Sequence, residues 1–227
     1  MDHRIFATTT GTLLILGVVT SLVTTSLADP VLEGAGYLSR ITSHDSRILW
    51  AAFFQIMTAL GAAAIAASLY PVVKDFYPGL AVGALGFRII EGVFYGIAGL
   101  GLIALLALGQ DFSSGGSSDH QLMANLIVDV RDAAYFVFGV AAFGTGATLY
   151  YIAFYLTGMV PRWLTVWGFA GLALIVVTAI ATLFDGAPFA VAGNMQILAI
   201  PIALQELVLA LWLIIKGYDL PDTTRTS

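Results

Sequence analysis

The chain has 227 residues, 59% of them hydrophobic and only 10% charged, with a mean hydropathy of +0.93. Soluble domains carry about 25% charged residues, so this surplus of apolar surface needs lipid, and the class is a polytopic membrane protein. The net charge of −5 argues against nucleic acid and against a polybasic lipid-binding patch, and the lack of cysteine removes disulfides, thiolate catalysis and cysteine-ligated metals.

No polar run is long enough for a separate soluble domain, so residues 1–217 read as one all-α transmembrane domain with a polar tail over 218–227. The first apolar run, 8–27, has the roughly 20 residues that a bilayer requires. It ends Ser26-Leu27-Ala28-Asp29, which also fits a signal-peptidase site, although the start of the chain is weakly basic and the run is rich in threonine; retention as a span is the reading adopted. Residues 29–47 form a loop of mixed charge. The second span, 48–73, holds Gln55 and the alanine-rich stretch Ala59 to Ala67, which suits close helix approach. Pro78-Gly79 turns the chain into the third span, 79–108. There Gly92, Gly96, Gly99 and Gly101 suggest a small-residue packing face. Gln110 to Ser118 reads as a flexible glycine- and serine-rich loop. The fourth span, within 125–157, begins with Asp129, Arg131 and Asp132, which places its lipid-embedded part from about Ala133 onward. Trp163 and Trp167 sit where interfacial aromatics belong, at the start of the fifth span, 164–184. Asp185 to Pro188 is a turn, and the sixth span is 196–215, with Pro201 expected to kink it near Glu206.

Six spans put both termini on one side. With that side cytoplasmic, the inner segments hold Arg4, Lys74, Arg162, Lys216 and Arg225, against Arg40 and Arg47 outside. The positive-inside rule then favours both termini in the cytoplasm, and the membrane expected is the cytoplasmic (inner) one.

Three ionisable residues stand inside apolar spans. Arg88 lies ten residues beyond Pro78, and Glu206 ten before Lys216. At about 1.5 Å per residue both fall roughly 15 Å from the cytoplasmic end, near the middle of a ~30 Å core, with Glu91 one turn further out. A charge in hydrocarbon costs at least ~2.5–3.5 kcal/mol, so each needs a partner. An Arg88–Glu206 contact between helices is expected, together with an intrahelical Arg88–Glu91 pair. The cluster is either a packing clamp or a polar pocket for a headgroup, ion or proton. Asp129, Arg131, Asp132 and Gln55 are read as its outer mouth, and Tyr95, Tyr135, Tyr150 and Tyr151 as further lining. His3, His44 and His120 lie outside the spans without metal-ligand spacing, so no metal or cofactor is assigned.

Several motifs resemble one family. Phe87-Arg88-Ile89-Ile90-Glu91 is similar to its F-R-x-x-E signature. Gly139-x3-Phe143-Gly144-x-Gly146, followed by Tyr155, Gly158 and Pro161-Arg162, matches next, and Pro201 to Gly217 with Glu206-Leu207 and Leu211-Trp212-Leu213 matches last. Over residues 8–217 the chain resembles the bacterial integral membrane family known as domain of unknown function 4386. Asp132 stands where many members carry histidine. The resemblance implies a helical membrane protein and no known activity.

Three functions remain open. A small transporter, channel or binding protein uses the Arg88, Glu91 and Glu206 site. A non-catalytic accessory subunit, bound to another membrane protein or to copies of itself, uses the same cluster only to pack. An intramembrane enzyme with a glutamate base is the weakest reading. The lipid bilayer is a partner in every case.

Overall fold

A computed structural model describes residues 3–34, 36–115, 118–184 and 192–220. The turn expected at Asp185 to Pro188 and residues 221–227 of the tail lie outside them. The described residues form helices and no strand. These are α1 (His3–Leu32), α2 (Tyr37–Ser43), α3 (Asp45–Val73), α4 (Pro78–Gly115), α5 (Ser118–Asp132), a π-helical segment (Ala133–Gly139), α6 (Val140–Thr157), α7 (Arg162–Phe184) and α8 (Ala192–Ile215). Five of them, α1, α3, α4, α7 and α8, are long and apolar enough to cross a membrane. The expected fourth span does not emerge as one such helix. It is divided into polar α5, the π segment and α6, whose 18 residues reach only about 27 Å.

Six rods close into a ring, each packed on the next: α1, α3, α4, α6, α7, α8 and back to α1. With little hydrophobic force available between helices in lipid, close approach depends on small residues and polar contacts. A Cβ at Gly92 would lie 2.6 Å from the Ala59 carbonyl oxygen of α3, and one at Gly11 would lie 2.6 Å from the Ala210 carbonyl oxygen of α8. The glycines of α4 do not form one face, as was expected of them. Gly92 and Gly99 meet α3, Gly101 meets Arg131, and Gly96 meets nothing. Hydroxyls join α1 to α3: Thr10 and Ser68 are 2.8 Å apart and buried, and Thr20 and Thr58 are also 2.8 Å apart. Tyr218, beyond α8, folds back to donate to the Thr10 hydroxyl at 3.3 Å. Burial pushes its phenol above the usual range.

Arginines complete the helix ends. Pro30 within α1 has no N–H to give the carbonyl of Ser26, and Arg47 supplies one at 2.8 Å while also donating to Leu27 at 2.9 Å. Arg4 donates to the last carbonyls of α8, Ile214 at 2.8 Å and Ile215 at 3.1 Å. A cation there also complements the helix dipole.

Two expected loops are largely helical. Within 29–47, α2 buries Tyr37, Leu38 and Ile41. The stretch beginning at Gln110 continues α4 as far as Gly115. Tertiary contacts override its glycine and serine content: Gly109 packs on the Leu38 carbonyl and Ile41, and the Asp111 carboxylate is 3.1 Å from His120.

The glycine geometry predicts that Gly92→Ala destabilises the protein by about 1–3 kcal/mol, because a backbone carbonyl rather than a flexible side chain must move. Gly96→Ala, in open space, should be neutral or slightly stabilising. Thermal unfolding of the two variants in detergent checks this.

Candidate functional site

All six rods contribute side chains to one cavity of about 250 Å³. Its walls are mostly apolar: Leu14 and Val18 from α1, Ile65 from α3, Phe143 from α6, Ile175 from α7 and Ile202 from α8. Arg88, Glu91 and Tyr95 enter from α4, Tyr135 and Phe136 from the π segment, and Glu206 from α8. The three ionisable residues singled out in the spans therefore border the same space.

Arg88 and Glu91 are only 3% and 2% exposed. Arg88 Nη1 is 2.9 Å from Glu91 Oε2, an ion pair one turn apart on the same helix. The two groups are not in line for a hydrogen bond, and buried Arg88 Nε has no hydrogen-bond partner among the described residues. The guanidinium lies over the Phe143 ring, 5.1 Å from its centre, where the ring face attracts a cation. Gly146, one turn beyond Phe143, makes room for the arginine stem: a Cβ there would lie 3.2 Å from Arg88 Cγ. Gly139 leaves a notch for Tyr95, whose ring carbon would be 2.6 Å from an added Cβ. The spacing of Gly139, Phe143 and Gly146 thus places three consecutive turns of the rod against α4.

The expected Arg88–Glu206 contact is not an ion pair. α4 and α8 stand on opposite sides of the ring, and Arg88 takes the nearer carboxylate on its own helix. Glu206 is partly exposed and accepts no hydrogen bond among the described residues. Its direction is set by its neighbour. Gln205 is fully buried, its amide nitrogen donating to the Leu164 carbonyl at 3.0 Å and its amide oxygen accepting from Tyr151 at 2.6 Å. Tyr151 reaches it because residue 168 is glycine, where a Cβ would come within 2.7 Å of the ring. With Gln205 anchored on α6 and α7, the next side chain is rotated about 100° toward the cavity. Sequence reasoning missed this clamp. A glutamine beside a glutamate inside an apolar span was the available signal.

Toward the end of the cavity away from Arg4, the hydroxyls of Ser21 and Tyr135 are 2.8 Å apart, linking α1 to the π segment. Tyr95 stacks near Tyr135 with ring centres 4.8 Å apart. The residues read as an outer mouth sit beyond this link, and none of them lines the cavity. Arg131 and Asp132 are buried and pair at 2.6 Å, with the Arg131 stem against Gly101. Asp129 is exposed, and buried Gln55 packs on Gly99. Tyr150 and Tyr151 also stay outside the lining, although buried Tyr150 meets Tyr151 edge-on. Among the described residues no group of three or more His, Asp or Glu is placed to hold a metal ion.

The helices, their lengths and their apolar outer faces define a multi-pass helical membrane protein. The family model described as domain of unknown function (DUF4386) matches residues 9–217, and the chain belongs to that family. A search of curated proteins found no match. A search of solved structures found none either.

The enclosed pair generates a prediction. Arg88→Gln leaves the Glu91 carboxylate buried and unpartnered and should cost about 3–5 kcal/mol. The double variant Arg88→Gln with Glu91→Gln should recover part of that loss. Denaturant unfolding of both in mixed micelles checks the sign of the difference. Gln205→Ala removes both clamp bonds and should cost about 1–3 kcal/mol in the same assay.

Proposed function

We propose that this protein binds, and passes across the membrane, a small solute whose polar part is cationic, a proton included. Arg88, Glu91 and Glu206 form the intramembrane site. In this reading the rod of α5, the π segment and α6 is the sixth span, fourth in chain order. Both termini face the cytoplasm across the inner membrane. The closed ring supports the six-rod count, because α6 occupies a full position between α4 and α7. The distribution of Lys and Arg supports the orientation.

One observation carries the functional reading: among the described residues the carboxylate of Glu206 has no ion-pair partner, in a cavity that the other two ionisable groups also border. Arg88 and Glu91 neutralise each other, so the uncompensated charge is negative. In a low-dielectric space that charge calls for a proton or a cation. The π segment beside the cavity adds support, since such departures from α geometry concentrate at functional sites.

A second reading has its own observation. Arg88 and Glu91 are almost fully enclosed and pair as opposite charges, which suits a packing clamp in an accessory subunit of a larger complex or in a homo-oligomer. The Glu206 carboxylate discriminates the two readings. Equilibrium binding of methylammonium to the purified protein should be saturable and should weaken at least about tenfold in Glu206→Gln, with the unfolding temperature held. Equal retention of methylammonium and of sodium by wild type and variant would overturn the solute-binding reading and leave the clamp.

A further inference from the structure

We infer that the cavity takes a single-chain ammonium amphiphile, which enters sideways from the lipid between α1 and α8. This rests on the solute-binding reading above and specifies the solute and its route.

The route follows from where α1 and α8 touch. Their close contacts lie at one end, where Arg4 reaches Ile214 and Ile215 and Gly11 meets Ala210 and Ile214. Toward the other end both helices border the cavity. Leu22 of α1 and Ile200 of α8 both line the cavity, yet they are 58% and 51% exposed. Residues that border an interior space and an outer surface at once mark the edges of an opening. On α1, Leu22 lies on the same side as Arg4, 18 residues earlier at 100° per residue, which is the side facing α8. The opening therefore lies in the α1–α8 seam, on the ring's lipid-facing wall.

The occupant follows from what the cavity offers. Nη1 and Nε of Arg88 have almost no accessible surface, so the guanidinium presents little to an anion. The half-buried carboxylate of Glu206 presents a negative charge instead. A hard metal ion such as calcium or magnesium needs about six oxygen ligands. Here the hydroxyls of Ser21 and Thr58 are already paired with Tyr135 and Thr20, and the Glu91 carboxylate is paired with Arg88 and 2% exposed, which leaves chiefly the Glu206 carboxylate in largely apolar walls. An ammonium group needs only that carboxylate and a few acceptors, and an alkyl chain suits both the walls and the gap. Such a molecule reaches the seam by partitioning into the bilayer, its chain in lipid.

The test uses decylammonium carrying a diazirine at the chain end, added to the full-length protein in maltoside micelles, with photolabelled residues mapped by mass spectrometry. Labelling is expected on α1 around Leu22 and on α8 around Ile200. It should fall at least about tenfold in Glu206→Gln and with excess methylammonium. Leu22→Trp, which fills the gap, should lower labelling to a similar degree. The matching decanoate probe should not label the seam. If methylammonium binding depends on Glu206 while the long-chain label ignores both Glu206→Gln and Leu22→Trp, the lateral amphiphile assignment is overturned and the cation site stands. If added phosphatidylethanolamine suppresses the label, the source is a lipid headgroup and the single-chain assignment is overturned. If neither probe depends on Glu206, both readings fall together.

Discussion

Enclosing the guanidinium of Arg88 requires a carboxylate within reach and an aromatic face beneath it. It also requires a neighbouring helix close enough to exclude lipid. Glu91 meets the first need from the same helix, Phe143 the second, and Gly146 the third. The pair then leaves no net charge of its own on the α4 side of the ring. What remains is Glu206 on the far side, and its direction is set by hydrogen bonds that its neighbour Gln205 makes to two other helices. The cavity between them exists because the two charged elements stand on opposite sides of a closed ring and do not meet.

The same economy runs through the rest of the packing. Lipid competes with apolar side chains on equal terms, so the ring is held by backbone approach at small residues and by hydroxyl pairs between α1 and α3. Backbone carbonyls freed at helix ends are taken by Arg4 and Arg47, both near the limits of apolar segments where a guanidinium remains solvated. At the α1–α8 seam, Leu22 and Ile200 border the interior space and the outer surface at once.

Much of this was legible in residues taken one by one. The six apolar runs, the membrane class and the family resemblance follow from composition and motif, and the Arg88–Glu91 pair follows from i,i+3 spacing. Three features were not legible. α2 was hidden because its seven residues carry too short a pattern to separate from a polar loop. The extension of α4 was hidden because glycine and serine argue for a loop unless tertiary contacts outweigh them. The outer-mouth grouping of Asp129, Arg131, Asp132 and Gln55 rested on depth alone, and depth says nothing about which way a helix is turned.

Depth along each helix is a matter of counting residues from a turn, and the chain alone determines it: Arg88 and Glu206 had to lie at similar heights. The order of helices around the ring and the rotation of each about its axis depend on contacts between residues far apart in the chain, such as Gln205 with Leu164 and Gly146 with Arg88. No local pattern encodes those contacts, because an apolar helix in lipid looks much the same on every side. Tertiary structure therefore decided that the two charged residues face one cavity from opposite walls instead of touching.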